Sequence, residues 1–242
     1  MFAPAVAPGA LATTELSALR TPVSFSKTST ASTTKEEFVK ITIIGGSKGT
    51  GAQLASLALQ AGHSVTVLSR SGNAPAGTRA ITGNATDPVA AAEAVAGADV
   101  VVVTVGGAKG VNHQRAAVTR TIIAAMQAAG VRRLVVQSSL GAGDSASALP
   151  APIRLITQLV LGRALADHNE QELAVTTSGL DWTVVRPAGL TNKVPSGTWT
   201  ALGATGEGKP YGSIPRGDLA ACMLEILDND STHGSALSLS SR

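Results

Sequence analysis

The stretch most able to do chemistry is a glycine cluster set between an apolar strand pattern and a segment rich in alanine and leucine. Residues 41–44 favour a β-strand and residues 50–60 favour a helix, and Gly45, Gly49 and Gly51 follow the spacing Gly-x-x-x-Gly-x-Gly. Glycines permit a sharp turn and a close backbone approach to a phosphate, and a helix N-terminus offers unpaired N–H groups to an anion. The pattern predicts a phosphate-binding loop, with an ordinary glycine turn as the alternative.

A second chemical feature is the cation at the tip of the next predicted strand. Arg70 follows that strand about 20 residues after Gly51, where folds that prefer NAD carry an acid for the ribose 2′-hydroxyl. Residues 68–71 contain no acid. An arginine there could pair with a 2′-phosphate, and the hydroxyl of Ser69 or Ser71 could add a hydrogen bond. NADP is therefore predicted over NAD, with a solvated surface arginine as the alternative.

The elements that must position these loops alternate between strand and helix patterns. Strands are predicted at residues 41–44, 65–68, 79–82, 100–105, 134–139, 180–187 and 236–240, and helices at 50–60, 87–95, 112–129, 153–177 and 218–227. We expect a break near Gly162 in the long helix and an irregular excursion over residues 188–214. Alternation at this spacing predicts an α/β fold: a doubly wound parallel sheet of the Rossmann type in a three-layer α/β/α sandwich.

Composition excludes several classes of function. With 14% charged and 44% hydrophobic residues, the 242-residue chain is predicted to form a packed domain. Aromatic residues make up 2% and no lysine or arginine run exists, which argues against a nucleic-acid partner. No apolar run reaches the roughly 18 residues of a membrane span. Cys222 lies in an apolar helix pattern and is interpreted as a core thiol. His63, His113 and His233 lack metal-ligand spacing, so no metal site is predicted.

The N-terminal segment differs in composition from the rest of the chain. Residues 1–37 are rich in Ser and Thr, and Glu15 is the only acid before Glu36. This composition is typical of an organellar transit peptide, which predicts a plastid location, and otherwise a cytoplasmic one. A disordered extension that is not a targeting signal is the alternative interpretation. Either way, the NAD(P)-binding domain is expected to begin near Phe38 and to occupy residues 38–242.

From Phe38 onward the chain resembles the atypical short-chain dehydrogenase/reductase group of NAD(P)H-binding proteins, and it is most similar to the biliverdin-IXβ reductase/flavin reductase family. The matching features are the glycine loop, Val-x-Val-Leu-x-Arg ending at Arg70, Gly83-Asn84, Asp167-His168 followed by Ser178-Gly179-Leu180, Arg186-Pro187 and Asp218-Leu219. Two positions depart from the pattern: Lys48 stands where this subgroup usually has a glycine, and Asn84 where an aspartate is usual.

Together with the glycine loop and Arg70, the resemblance implies a site for NADP (NADPH). Its expected residues are Gly45, Ser47, Lys48, Gly49, Thr50, Gly51, Arg70, Asn84, Ala85, Val105, Gly106, Gly107, Lys109, Ser138 and Pro187. Lys48 and Lys109 lie in loops after the first and fourth predicted strands. Each could add a phosphate contact or simply be exposed.

The acid–base pair of ordinary short-chain dehydrogenases, Tyr-x-x-x-Lys, is missing. The one tyrosine is Tyr211 and residue 215 is proline, so alcohol dehydrogenation by that pair is not expected. Two other residues are the catalytic candidates. Ser139 could hydrogen-bond a nicotinamide carboxamide or a substrate oxygen, or could cap the loop backbone. His168 matches a histidine that borders the substrate site of the resembled family; it could orient an acidic substrate or shuttle a proton, or be a half-buried helix residue.

The favoured hypothesis is an NADPH-dependent reductase acting on a small conjugated acceptor such as a flavin, quinone or bilin. Such chemistry asks little of the protein, because the cofactor supplies hydride and solvent can supply the proton. The alternative is a non-catalytic redox sensor or assembly factor that binds NADPH. A sugar-nucleotide epimerase would lack its usual tyrosine. A monomer or weak homo-oligomer is expected.

Overall fold

The computed structural model describes residues 24–26, 38–106, 113–148, 151–203 and 212–241. The strands are β1 Ser24–Ser26, β2 Lys40–Ile44, β3 Ser64–Ser69, β4 Arg79–Thr82, β5 Val100–Val103, β6 Arg133–Gln137, β7 Asp181–Pro187, β8 Leu190–Thr191, β9 Trp199–Leu202, β10 Ile214–Pro215 and β11 Ser235–Ser241. The helices are α1 Gly49–Gln60, α2 Pro88–Val95, α3 Gln114–Ala129, α4 Ala151–Thr176 and α5 Arg216–Leu227, with 3₁₀ turns at Gly143–Ala148 and Asp230–Thr232.

A single large sheet has the strand order β1-β9-β11-β7-β6-β5-β2-β3-β4. The strands from β4 to β11 in this order pair in parallel, whereas β9 is antiparallel to β11 and β1 is antiparallel to β9. Central strand β2 pairs with β3 on one side and β5 on the other, and Ile43 lies opposite both Val67 and Val102. The chain therefore reverses its winding between β2 and β5, which is where open α/β sheets place their ligands.

Alternate residues of the central strands face opposite sides of the sheet, because side chains of a strand alternate in direction. Ile41 and Ile43 join a buried cluster with α1 and α5, whereas Ile44 joins a second cluster with α2, α3 and α4. Val100–Val103 is buried along its whole length, as expected for a strand covered on both faces. The predicted doubly wound, three-layer Rossmann fold is confirmed.

The long helix α4 differs from its prediction. It runs unbroken from Ala151 to Thr176 and passes through Gly162 without interruption. A glycine inside a helix costs only about 1 kcal/mol relative to alanine, which the hydrogen bonds of a long helix can absorb. Despite the length of α4, none of the helices in the described part of the chain is long and apolar enough to cross a membrane.

The excursion over residues 188–214 also differs from its prediction, because it contains strands. β8 pairs in parallel with β10, and β9 pairs with β11. These short strands form with partners that are distant in the sequence, so the local composition did not predict them. Residues 204–211 lie outside the described part.

Ser24–Ser26 adds an edge strand from within the N-terminal segment, through pairing with β9. The composition of residues 1–37 did not predict this strand, since backbone pairing at a sheet edge needs no apolar pattern. The other residues of this segment lie outside the described part, and both the domain boundary near Phe38 and the transit-peptide interpretation stay predictions.

Candidate functional site

A cleft of about 360 Å³ opens at the carboxyl ends of the parallel strands, at the point where the winding of the sheet reverses. It is bounded by the glycine loop, the ends of β3 and β5, and the first residues of α3 and α5. The predicted cofactor residues that line it are Gly45, Ser47, Lys48, Gly49, Thr50, Arg70, Asn84, Ala85, Val105 and Gly106. Most of the predicted site is thus brought together, while Gly107 and Lys109 lie outside the described residues.

The glycine loop has the backbone geometry that its spacing predicts. Gly45 has a φ of 92° and its N–H donates to the carbonyl of Leu68 at 3.0 Å, which joins the loop to the end of β3. Gly49, with a φ of 60°, begins α1. Gly51 lies outside the lining, but a Cβ there would stand 2.8 Å from the carbonyl oxygen of Gly45 and collide with Thr104. The first turn of α1 can therefore pack closely against the loop. The first N–H groups of a helix have no partner within the helix, so those of α1 can bind an anion.

Two cations of the cleft have no partner among the described residues. Lys48 and Arg70 are exposed, and neither side chain makes a hydrogen bond or ion pair within the described ranges. Near Arg70, the hydroxyl of Ser69 donates to the carbonyl of Asn73 at 3.1 Å, whereas the hydroxyl of Ser71 accepts from the Asn73 N–H. Ser69 is therefore occupied locally, and the Ser71 hydroxyl keeps its own hydrogen to donate.

Several lining residues were not predicted from the sequence: Thr104, Gln114, Gln137, Leu190 and Arg216. The side-chain oxygens of Gln114 and Gln137 are buried and have no hydrogen-bond partner among the described residues. Buried polar atoms are normally paired, so these two amide oxygens are candidates for contact with a molecule bound in the cleft. Their sequence signal is positional: Gln137 ends β6 and Gln114 begins α3, both beside the switch point.

Ser138, Ser139 and Pro187 do not line the cleft. Ser138 is 2% exposed, and its hydroxyl donates to Glu172 at 2.5 Å. The hydroxyl of Ser139 donates to the carbonyl of Leu140 at 3.2 Å, which is the backbone-capping role. Pro187 ends β7, and its carbonyl accepts from the Leu140 N–H. The catalytic role of Ser139 and the cofactor roles of Ser138 and Pro187 stay predictions.

His168 is also outside the lining, buried on α4. Its Nδ1 lies 3.1 Å from the side-chain oxygen of Gln171 and 3.4 Å from the hydroxyl of Ser138. Burial, reinforced by the charge of Arg115, lowers the pKa of His168 to about 4. The ring is therefore neutral near pH 7, and its proposed catalytic role stays a prediction.

A buried ionic network joins α4 to β7 and to the loop after β6. Arg186 donates to both carboxylate oxygens of Glu172, and its Nη1 lies 2.5 Å from an oxygen of Asp144. Burial lowers the pKa of Arg186, but the hydrogen bonds and charges of Glu172 and Asp144 raise it to a greater extent. Arg186 therefore stays positively charged, and it is the cation of this network.

The sequence and the fold are both similar to those of known proteins. The sequence model of the NAD(P)H-binding family matches residues 45–230. ChuY, an anaerobillin reductase from Escherichia coli O157:H7, is 27% identical, with a TM-score of 0.70 over 84% of this chain and 97% of that chain. A short-chain dehydrogenase/reductase from Veillonella parvula DSM 2008, solved in complex with NADP, is 17% identical, with a TM-score of 0.73 over 85% of this chain and 95% of that one.

An oxidoreductase from Lactococcus lactis is 19% identical, with a TM-score of 0.72 over 84% of this chain and 91% of that chain. At identities of 17% and 19%, the last two structures confirm the fold alone. The family match covers the glycine loop, the tip of β3 and the end of β6, which are the parts that build the cleft. The resemblance seen in the sequence is confirmed: the chain belongs to the NAD(P)H-binding family.

Proposed function

We propose that this protein is an NADPH-dependent oxidoreductase that transfers hydride to a small conjugated acceptor such as a flavin, a quinone or a bilin. The observation that carries the proposal is that the glycine loop and Arg70, which has no partner among the described residues, line one cleft. The loop suits a pyrophosphate, and a cation without a neighbouring acid suits the 2′-phosphate that distinguishes NADP from NAD.

The described residues fit a dinucleotide. Gly45 packs closely against the residues that follow β5: a Cβ placed on Gly45 would lie 3.2 Å from the backbone of Val105. The glycine loop therefore has no room for a side chain at this position. Gln114 and Gln137 also line the cleft, and their buried side-chain oxygens have no hydrogen-bond partner within the described ranges. The loop would hold the pyrophosphate, Arg70 the 2′-phosphate, and the two amides the polar edges of the rings.

When bound, NADPH supplies a hydride, which carries both electrons of the reduction. Among the described lining residues, the only side chains that are charged near neutral pH are the cations Lys48, Arg70 and Arg216. That part of the lining contains no carboxylic acid, histidine or tyrosine, which suits a reaction that takes its proton from solvent. The protein's contribution is then to bind, orient and partly desolvate the two rings.

The test is anaerobic oxidation of NADPH with a panel of riboflavin, FMN, a naphthoquinone and biliverdin, with NADH as the matched donor. We expect stoichiometric oxidation of NADPH with at least one acceptor and a lower kcat/KM with NADH. Reduction driven equally well by NADH would contradict the cofactor preference. Tight NADPH binding without transfer to any acceptor would contradict the reductase.

NADPH binding without hydride transfer would favour an NADPH-binding sensor or assembly factor. One observation supports this alternative. Leu155, Leu159 and Val160, in the first half of α4, are 59%, 78% and 74% exposed. Clustered apolar side chains on a surface helix are typical of a protein contact. Substituting Leu159 and Val160 with serine should then abolish partner binding while leaving NADPH affinity unchanged.

The composition of residues 1–37 supports a further proposal, import into a plastid. A fusion of these residues to a fluorescent protein, expressed in a plastid-bearing cell, tests it. Accumulation in the organelle with loss of the segment is the expected result, and a cytoplasmic signal would contradict it.

A further inference from the structure

Arg216, the first residue of α5, lies directly against the glycine loop although it is remote from it in sequence. It lines the cleft, and a Cβ placed on Gly49 would be 3.5 Å from its Nε and 3.7 Å from its Cδ. Gly49 begins α1, so the guanidinium of Arg216 stands beside the helix N-terminus that faces the cleft. The two helices pack side by side, which fixes this approach.

The charge of Arg216 is not neutralised within the described part of the chain. Its Nη1 donates to the amide oxygen of Asn192 at 2.7 Å, and no carboxylate among the described residues forms an ion pair with it. The nearest acid along α5, Asp218, is buried and engaged elsewhere, with the backbone N–H groups of Ser196 and Gly197. Lys48, which has no partner in the part of the chain that the structure describes, is the N-cap of α1 and lines the same cleft, so its charge adds to the positive end of the helix there.

The backbone around Arg216 is held in place by the segment that precedes β9. Asp218 binds the turn at Ser196 and Gly197, and a Cβ on Gly217 would collide with Pro195 and stand 2.9 Å from the side-chain oxygen of Gln53. The cation is therefore positioned before any ligand arrives, while its one hydrogen-bond partner among the described residues is a neutral amide. Such a group can transfer a hydrogen bond to an anion without breaking an ion pair.

We infer that Arg216 binds the pyrophosphate of the nicotinamide cofactor, as a cation of the cleft distinct from Arg70. The inference rests on the proposed cofactor site. The pyrophosphate is common to NADPH and NADH, whereas Arg70 addresses the 2′-phosphate that only NADPH carries. Arg216 therefore contributes affinity and Arg70 contributes selectivity. Asn192, which accepts the hydrogen bond of this guanidinium, lies two residues after Leu190, another lining residue of the cleft.

The test is a titration calorimetry series with NADPH and NADH on the full chain and on Arg216→Gln, Arg216→Lys, Arg70→Gln and Arg163→Gln. Arg163 is exposed on α4, away from the lining, and controls for the loss of one positive charge. We expect Arg216→Gln to lower the affinity for NADPH and the affinity for NADH by the same factor, about 10- to 100-fold. Arg216→Lys should recover part of that loss. Arg70→Gln should lower the affinity for NADPH alone, and Arg163→Gln should leave both affinities unchanged.

Unchanged affinity for both cofactors in Arg216→Gln, at an unchanged melting temperature, overturns the inference and leaves the proposed function standing. Unchanged cofactor affinity with a raised KM for FMN but not for riboflavin would assign the anion to the acceptor, and also overturns it. If the unmodified chain binds neither NADPH nor NADH, the proposed function fails and the inference fails with it.

Discussion

Arg186 and Glu172 form a two-pronged ion pair inside the protein. The Nε of Arg186 donates to one carboxylate oxygen of Glu172 at 3.0 Å and the Nη2 donates to the other at 2.6 Å, and each side chain is 6% exposed. The pair joins β7 to α4, and Gly143 passes so close above it that a Cβ there would stand 2.5 Å from both partners. The loop that follows β6 is therefore seated on this ion pair.

Removing one member of the pair should destabilise the fold strongly. Glu172→Gln leaves the charge of Arg186 facing an amide, and a buried charge that loses its partner costs about 3–5 kcal/mol. Equilibrium urea unfolding measures this loss. Asp144→Asn is the control, because the Asp144 side chain is 64% exposed and its link to Arg186 should be worth about 1 kcal/mol or less. Equal losses in both variants would contradict the central role of the Glu172 pair.

The low pKa of His168 predicts how the free energy of unfolding depends on pH. Burial lowers this pKa from 6.5 to about 4 in the folded protein, so between these values the unfolded chain binds more protons. Stability is then fully present above pH 6.5 and falls as the pH drops toward 4, by on the order of 3 kcal/mol from this residue. Unfolding free energies at pH 7.5, 6, 5 and 4.5 for the unmodified protein and His168→Gln isolate the contribution. A constant difference between the two proteins would contradict it.

Cofactor selectivity should depend on Arg70. Arg70→Glu places an acid where folds that prefer NAD carry one, and repels the 2′-phosphate. We expect the affinity for NADPH to fall by about tenfold to a hundredfold, with that for NADH nearly unchanged. Fluorescence titration with both cofactors measures the ratio, with Arg163→Glu as the control for a charge reversal away from the cleft. Equal losses for the two cofactors would remove the basis for the NADP assignment.

The parts of the site that could be predicted are those whose geometry is local. Gly45 and Arg70 follow their strands directly and Gly49 begins the helix after the turn, so the strand–turn–helix pattern alone places them at the cleft. Arg216 and Gln137 reach the same cleft from elements far along the chain. Their approach depends on how α5 packs on α1 and on the register of β6, and no local pattern encodes either.

In the fold, too, elements with a local sequence pattern were predicted and elements that depend on distant partners were not. Central strands such as β5 have a continuous apolar pattern because both of their faces are buried. Each strand of the parallel part of the sheet was predicted to within a few residues. β9 and β1 are short strands whose pairing partners are distant, and their short sequences contain no comparable pattern. The placement of Ser139 is similar: its position at the end of β6 was predictable, but the rotation of its hydroxyl toward Leu140 depends on the loop that follows.

The N-terminal segment should be largely dispensable for the fold. Removing residues 1–22 spares β1 and should leave the melting temperature within about 1 °C, whereas removing residues 1–37 also deletes the three-residue β1. An edge strand of that length contributes about 1 kcal/mol or less, which corresponds to roughly 2–4 °C in a protein of this size. Thermal unfolding of both truncations measures the effect. A drop far beyond this range would mean that the segment stabilises the domain through more than the pairing of β1 with β9.

If the protein is a reductase that takes its proton from solvent, no single side chain should be indispensable for turnover. Ser139→Ala and His168→Ala should each slow hydride transfer by about tenfold or less, the loss expected for one neutral orienting hydrogen bond of about 1 kcal/mol. A dedicated general acid would instead cost roughly 10²- to 10⁴-fold. The structure supports the smaller effect, because Ser139 donates to a backbone carbonyl and the neutral His168 lies outside the lining of the cleft. Single-turnover oxidation of bound NADPH measures the step without product release. A loss beyond a hundredfold in His168→Ala, at unchanged NADPH affinity, would make His168 a proton donor and would require it to reach the acceptor from its buried position.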